Sequence, residues 1–229
     1  MQQVSVIIPA WNEGARISVT LEALHQANRF RKWYHELLVV DDGSTDETPR
    51  AAGKWADTVI RHTTNRGKGA ALESGWRHSA GHIVVFLDAD LGESAAFAHL
   101  LLEPIRQEQA DMCIAKLPAA GRKGGFGLVK GLATTGITRL GGFRPEAPLS
   151  GQRAVRREVL ESVGSLARGF GIEVGLTIDA LRKGYRVCEA KVPFRHRETG
   201  RDWSGFVHRG KQFYAVGVTL MQKWRERSC

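Results

Sequence analysis

Ile83-Val84-Val85-Phe86-Leu87-Asp88-Ala89-Asp90 is an unbroken apolar run that ends abruptly in an acidic cluster. Continuous β-branched and aromatic residues suit a strand covered on both faces, because a strand with one wet face would alternate. Two further runs have the same form: Val4 to Pro9 (VSVIIP) leads into Asn12-Glu13, and Glu36 to Val40 (ELLVV) leads into Asp41-Asp42-Gly43-Ser44. Helical patterns separate them, from about Ala15 to Phe30 and from about Lys68 to Ala80. Strand alternating with helix predicts an α/β fold with a mostly parallel, doubly wound central sheet. Ligands of such sheets sit at the carboxyl ends of the strands, so three polar loops are expected to converge on one crevice. Carboxylates crowded together are costly without a cation or a hydrogen-bonding ligand, which marks the crevice as a site.

Further along, the patterns predict a helix near Ala95 to Gln109, a strand near Met112 to Lys116 and a Gly-rich, basic loop over Pro118 to Gly127. Helices are expected over Leu128 to Leu140, Arg153 to Val163 and Glu173 to Arg182, then a strand over Arg186 to Val192. The tail from Ser204 to Arg225 mixes aromatic and apolar residues with Lys and Arg, as a basic amphipathic helix does.

The 229 residues are 42% apolar and 25% charged, values of a folded soluble chain. A chain of this length buries roughly three quarters of its unfolded surface, so no disulfide is needed for stability. Cys113, Cys188 and Cys229 are far apart and form no CxxC pair, which excludes a zinc knuckle or a secreted disulfide framework and points to a reducing cytoplasm. No export signal opens the sequence, and its apolar runs are far shorter than the ~20 residues that span a bilayer. Residues 1–117 hold 12 basic and 15 acidic side chains, whereas residues 118–229 hold 21 and 9. The basic half is expected to face something anionic: a phosphorylated substrate, lipid head groups or nucleic acid. No RRM, KH, zinc-finger or helix-turn-helix signature accompanies the charge, so nucleic acid is not the expected partner, and a basic nucleic-acid-binding module stands as the alternative of another class. No GxGxxG follows the first strand and no GxxxxGK[ST] is present, which disfavours a dehydrogenase and an ATPase.

Asp88 and Asp90 alternate at the end of an apolar strand, where they would bracket a hard divalent ion such as Mg²⁺ or Mn²⁺. Asp41-Asp42-Gly43-Ser44-Thr45-Asp46 precedes a helix that Thr45 or Asp46 would cap. The paired aspartates before it are suited to accept hydrogen bonds from a base N–H or ribose hydroxyls. Asn65-Arg66-Gly67-Lys68-Gly69 opens another helix, with glycines that admit a ligand and a lysine that pairs with phosphate.

With Pro9-Ala10-Trp11-Asn12-Glu13 (PAWNE), these motifs in this order resemble the family 2 glycosyltransferases and their GT-A relatives, over about Val4 to Leu91. The resemblance implies a single GT-A domain over residues 1–203, with a nucleotide-binding half at 1–117 and an acceptor half at 118–203, followed by the tail helix at 204–229. It also implies that Pro9, Ala10, Trp11, Glu13, Asp42, Lys68, Asp88, Ala89 and Leu149 hold a UDP-sugar donor. Trp11 stands where many relatives have Tyr and keeps an aromatic face for stacking.

In the second half, Pro148-Leu149-Ser150-Gly151-Gln152, Gly169-Phe170-Gly171-Ile172-Glu173 and Arg195-His196-Arg197 are similar to blocks of the glucosyl-3-phosphoglycerate synthases, which are retaining transferases. This second resemblance implies that His196 joins Asp88 and Asp90 on Mg²⁺ or Mn²⁺ and that Glu173, with Asp90, lies at the reacting sugar. Under retention the leaving phosphate takes the acceptor proton and Glu173 positions the sugar. Phe126 and Leu128 replace the acceptor-binding Arg and Thr of those enzymes, and Glu198 replaces the Asn after the metal histidine. An anionic acceptor is therefore assigned to Arg122, Lys123 and Gly151 without being identified. The alternative is an inverting polyprenyl-phosphate transferase similar to dolichyl-phosphate mannose synthases, with peripheral contact at the inner membrane face through the tail helix; a homodimer is compatible with either.

Overall fold

Burial on both faces turns the three apolar runs into the centre of a sheet. In the computed structural model, which describes residues 2–116, 127–166, 171–195 and 203–226, the chain runs β1 (Val4–Ala10), α1 (Ile17–Arg31), β2 (Glu36–Asp41), α2 (Thr48–Ala52), β3 (Thr58–Arg61), α3 (Lys68–His78) and β4 (Ile83–Phe86). A 3-10 segment (Gly92–Leu102) then leads into α4 (Glu103–Arg106), β5 (Met112–Lys116), α5 (Gly127–Gly141), β6 (Arg153–Arg156), α6 (Arg157–Val163), α7 (Ile172–Arg182), β7 (Val187–Lys191) and α8 (Trp203–Arg225). The strands form a seven-stranded sheet in the order β3-β2-β1-β4-β6-β5-β7. All neighbours are parallel except β6, which runs antiparallel to both β4 and β5.

Alternate residues of each central strand enter opposite cores. Val4, Val6, Ile8, Val39 and Val85 join one cluster with Ile17, Leu21 and Leu24 of α1. Ile7, Val40, Val84 and Phe86 join the other with Ala71, Leu72 and Trp76 of α3. The chain steps from β1 outward to β2 and β3 on one side and through β4 to the other, so the crevice at the carboxyl ends of β1, β2 and β4 is the switch point of the topology. A third cluster joins Val129, Ala133 and Ile137 of α5, Val174 and Ile178 of α7, and Val216 of α8. Among the described residues no helix is long and apolar enough to cross a membrane.

Two expectations are corrected. Residues 153–163 are not one helix: Ala154 and Val155 are buried between β4 and β5 as a strand, and the helix starts only at Arg157. The helix expected over residues 95–109 is mostly 3-10, with α-helical turns only from Glu103 on, where Pro104 occupies the first turn that tolerates it. The helix expected after Asp46 is the short α2, and the short strand β3 was not expected. Of the loop predicted over residues 118–127, only Gly127 is described, and it opens α5.

Candidate active site

The loops after β1 and β2 are stitched to each other by side chains that short polar residues alone provide. Asn12 adopts a left-handed backbone (φ 54°), its N–H donates to Ser44 Oγ at 2.9 Å, and its Oδ1 accepts from Thr45 N at 3.0 Å. Glu13 N donates to Thr48 Oγ1 at 2.8 Å and Gly14 N to Asp46 Oδ2 at 3.1 Å. Asp46 Oδ1 also accepts Thr48 N at 3.0 Å, so Asp46 satisfies an early N–H of α2 as expected of a capping side chain. The Thr48 hydroxyl, together with these backbone donors, holds the Asp46 carboxyl below the usual range. Gly43 has φ 74°, and a Cβ there would lie 2.6 Å from the Thr64 carbonyl carbon, so the turn requires glycine.

Both aspartates at the end of β2 are buried and engaged. Asp41 accepts Ser44 N at 3.0 Å through Oδ1 and pairs with Arg61 Nε at 3.2 Å through Oδ2. Asp42 Oδ1 receives Arg66 N at 2.9 Å and lies 2.7 Å from His62 Nδ1, while Oδ2 receives Gly67 N at 2.7 Å. His62 Nε2 in turn lies 2.9 Å from Ser74 Oγ on α3. Asp42 is thus the anchor that sets the start of α3, and with it Lys68, against β2.

Lys68 reaches from the first position of α3 to the end of β4. Its Nζ donates to Asp88 Oδ1 at 2.7 Å and lies 3.2 Å from Glu173 Oε1 on α7. Burial opposes the ammonium charge, but the two carboxylates outweigh it and hold the Lys68 amine above its ordinary value. The other oxygen of Asp88 accepts Gln152 Nε2 at 2.5 Å. A Cβ at Gly151 would run into Lys68 Nζ and stand 3.2 Å from Asp88 Oδ1, so a larger residue there would push the Lys68 ammonium out of its place in the cluster. Buried Arg153 braces it from behind, donating to Ser150 O, Glu173 O and Thr177 Oγ1, each at 2.8 Å.

The turn carrying Asp90 is tied to α1. Thr20 Oγ1 donates to Ala89 O at 2.8 Å and accepts Gly92 N at 2.9 Å. Ser94 Oγ, which donates to Leu91 O at 2.6 Å, accepts Arg195 N at 3.0 Å, bringing the end of the β7 segment to this turn.

The structure therefore places Lys68, Asp88, Glu173 and Gly151 in one cluster, with Ala89 buried and Asp90 partly buried beside it. Pro9 and Ala10 end β1, Trp11 projects with 54% of its surface exposed, and Glu13 pairs with Arg16 at 3.0 Å. Leu149 packs on the cluster formed by α5, α7 and α8. Arg122, Lys123 and His196 lie outside the described residues. Among the described residues no group of three or more His, Cys, Asp or Glu side chains is gathered as metal ligands would be. Sequence reading missed Thr20, His62, Gln152 and Arg153, whose roles depend on contacts between distant segments; the buried polar side chains are a structural signal only.

Residues 5–164 match the family model described as Glycosyl transferase family 2. The chain is 27% identical over 244 residues to the dolichol-phosphate mannosyltransferase of Pyrococcus furiosus, a match covering 95% of this chain and 69% of that protein. It is 32% identical over 197 residues to the glucosyl-3-phosphoglycerate synthase of Mycobacterium tuberculosis, covering 77% of this chain and 60% of that protein. The structure of that synthase with Mn²⁺, uridine diphosphate and phosphoglyceric acid superposes with a TM-score of 0.79 at 28% identity, covering 97% of this chain and 78% of that one.

Proposed function

The chain belongs to glycosyl transferase family 2 and has the GT-A fold, and from that premise we propose that it transfers a hexose from a UDP-sugar, UDP-glucose foremost, to an anionic, phosphorylated acceptor with retention and with Mn²⁺ or Mg²⁺ bound. The main support is the Lys68 ammonium lodged between Asp88 and Glu173 at the carboxyl end of the parallel strands. That arrangement supports the reading because an ammonium pairs with diphosphate and carboxylate oxygen suits a hard divalent ion. The synthase from M. tuberculosis, which binds Mn²⁺, uridine diphosphate and phosphoglyceric acid, supports the ligand classes.

The donor set fits such an ion: Asp88 and Asp90 offer hard oxygen, and His196 supplies a neutral imidazole nitrogen in the same reading. A divalent ion bound there supplies charge neutralisation for the departing diphosphate. Pro9, Ala10, Trp11, Glu13, Asp42, Ala89 and Leu149 hold the nucleotide, with Asp42 acting through the loop it anchors. Lys68 moves its charge toward the diphosphate, and Glu173 orients the sugar. Arg122, Lys123 and Gly151 meet the acceptor. Under retention the leaving phosphate oxygen takes the acceptor proton on the same face, so no separate carboxylate base is required. Asp90→Ala should leave circular dichroism unchanged and lower Mn²⁺-stimulated turnover of UDP-glucose by about a hundredfold, the scale of losing one charge-stabilising element. Unchanged turnover would remove Asp90 from the site.

A second reading, inverting transfer to a polyprenyl phosphate at a membrane surface, draws on α8. Val216 faces inward, but Phe213, Tyr214, Met221 and Trp224 are 47%, 75%, 57% and 59% exposed. An outward apolar stripe on a basic chain suits an anionic lipid surface. Flotation with vesicles of anionic lipid and the anomeric configuration of the product by NMR separate the two readings: salt-sensitive vesicle binding with inversion favours the second, and retention without vesicle binding favours the first.

A further inference from the structure

Gln152 is buried, with 1% of its surface exposed, yet its amide touches the cluster directly. The antiparallel pairing of β6 with β4 brings it there: Phe86 pairs with Arg153, so the residues entering β6 run beside those leaving β4. Its backbone is fixed as well, since Ala115 N donates to Gln152 O at 3.0 Å. The Asp88 carboxylate only accepts, so the amide must turn its NH₂ to Oδ2 at 2.5 Å, and this settles its orientation. Oε1 is left to accept the Ser150 hydroxyl at 3.1 Å. Asp88 is thereby held by a donor on each oxygen, Lys68 on one side and Gln152 on the other.

We infer that Gln152 is a positioning residue for the donor site: a neutral, orientation-locked donor that fixes the Asp88 carboxylate while adding no charge to a cluster that already holds Asp88 and Glu173. A glutamate of the same size would place two carboxylates in contact, and only its protonated form could donate as the amide does. This rests on the donor-site reading given above.

The test is calorimetric binding of UDP, with and without Mn²⁺ and without turnover, to intact wild-type, Gln152→Leu, Gln152→Glu and Ser150→Ala proteins at pH 7.5. Gln152→Leu should weaken binding in the presence of Mn²⁺ about tenfold, the scale of one hydrogen bond to a charged group, and change binding without Mn²⁺ less. Gln152→Glu, which sets a carboxylate against Asp88, should be weakened at least as much. Ser150→Ala, which removes the hydroxyl from Oε1, should lose a smaller factor and keeps the test informative if a Gln152 variant does not fold. Equal affinity of folded Gln152→Leu and wild type, or a loss of the same factor with and without Mn²⁺, would overturn the role of Gln152. Absence of UDP binding to wild type sinks the donor-site reading instead.

Discussion

Replacing Lys68 by Met keeps the stem of the side chain and removes the ammonium that stands between Asp88 and Glu173. The ammonium lies 2.7 Å from one carboxylate and 3.2 Å from the other, and the Lys68, Asp88 and Glu173 side chains are 31%, 27% and 12% exposed. Exposed pairs contribute about 0–1 kcal/mol, and breaking a buried pair by removing one partner costs about 3–5 kcal/mol. This partly screened triad falls between, so Lys68→Met should destabilise the metal-free protein by about 2 kcal/mol. For a chain of this length that is a fall in Tm of about 4–8 °C by differential scanning calorimetry. Saturating Mn²⁺ should close most of the gap, because a divalent ion at Asp88 and Asp90 compensates the same carboxylates. The Lys68 amine is held above its ordinary value, so its contribution is complete below its unfolded value of about 10.4 and fades only as pH climbs through the higher folded one. The gap should therefore not change through lysine titration between pH 6 and 9. An unchanged Tm without metal, or a deficit that Mn²⁺ leaves at full size, refutes the role given to Lys68 as the resident counter-ion.

Three other perturbations test the surroundings of the site. Gly151→Ala should weaken UDP binding and lower stability by about 1–3 kcal/mol, the cost of overpacking against Lys68 and Asp88; calorimetry showing wild-type affinity would contradict the close approach. Thr20→Val removes the hydroxyl that joins Ala89 O to Gly92 N, and should cost about 1–3 kcal/mol in urea unfolding while reducing Mn²⁺ affinity through Asp90. Far from the site, hydrogen bonds from Arg186 lower the Asp111 carboxyl. Its contribution is present above the unfolded value of about 3.9 and is lost as pH falls through the lower folded one. With Arg186 more than half exposed, Asp111→Asn should cost only about 1 kcal/mol at pH 7, and urea midpoints of variant and wild type should converge at acidic pH.

The strands β1, β2 and β4 were readable because both faces of each are buried, which leaves an uninterrupted apolar run with a polar loop at its end. The loops that meet at the switch point followed from the same reading. β6 was not readable, since its four residues begin and end with arginine and continue directly into a helix. Arg153 is buried only because Ser150 O, Glu173 O and Thr177 Oγ1 receive its hydrogen bonds, a condition that no local pattern reveals. β3 is short and lies at the sheet edge with its residues exposed or half-buried, so it lacks the apolar signal of the central strands. The same limit applies at the site. Lys68, Asp88 and Glu173 were named from motifs, but their meeting depends on α3, β4 and α7 converging. Asp42 was read as a ligand for nucleotide, and its carboxylate also carries the structural task of fixing the backbone of residues 66–67. Thr20 carries no motif, and Gln152 stood in a quoted block without a role, because each acts on the acidic turn from another part of the chain.

Titration of the intact protein with UDP, in the presence and absence of Mn²⁺, probes most directly whether this crevice grips a nucleotide diphosphate through a divalent ion. Isothermal calorimetry should show one site that tightens by about tenfold or more when Mn²⁺ is present, as expected when a cation joins Asp88 and Asp90 to the diphosphate. No heat of association for UDP under either condition would contradict the donor site and the transfer reaction built on it.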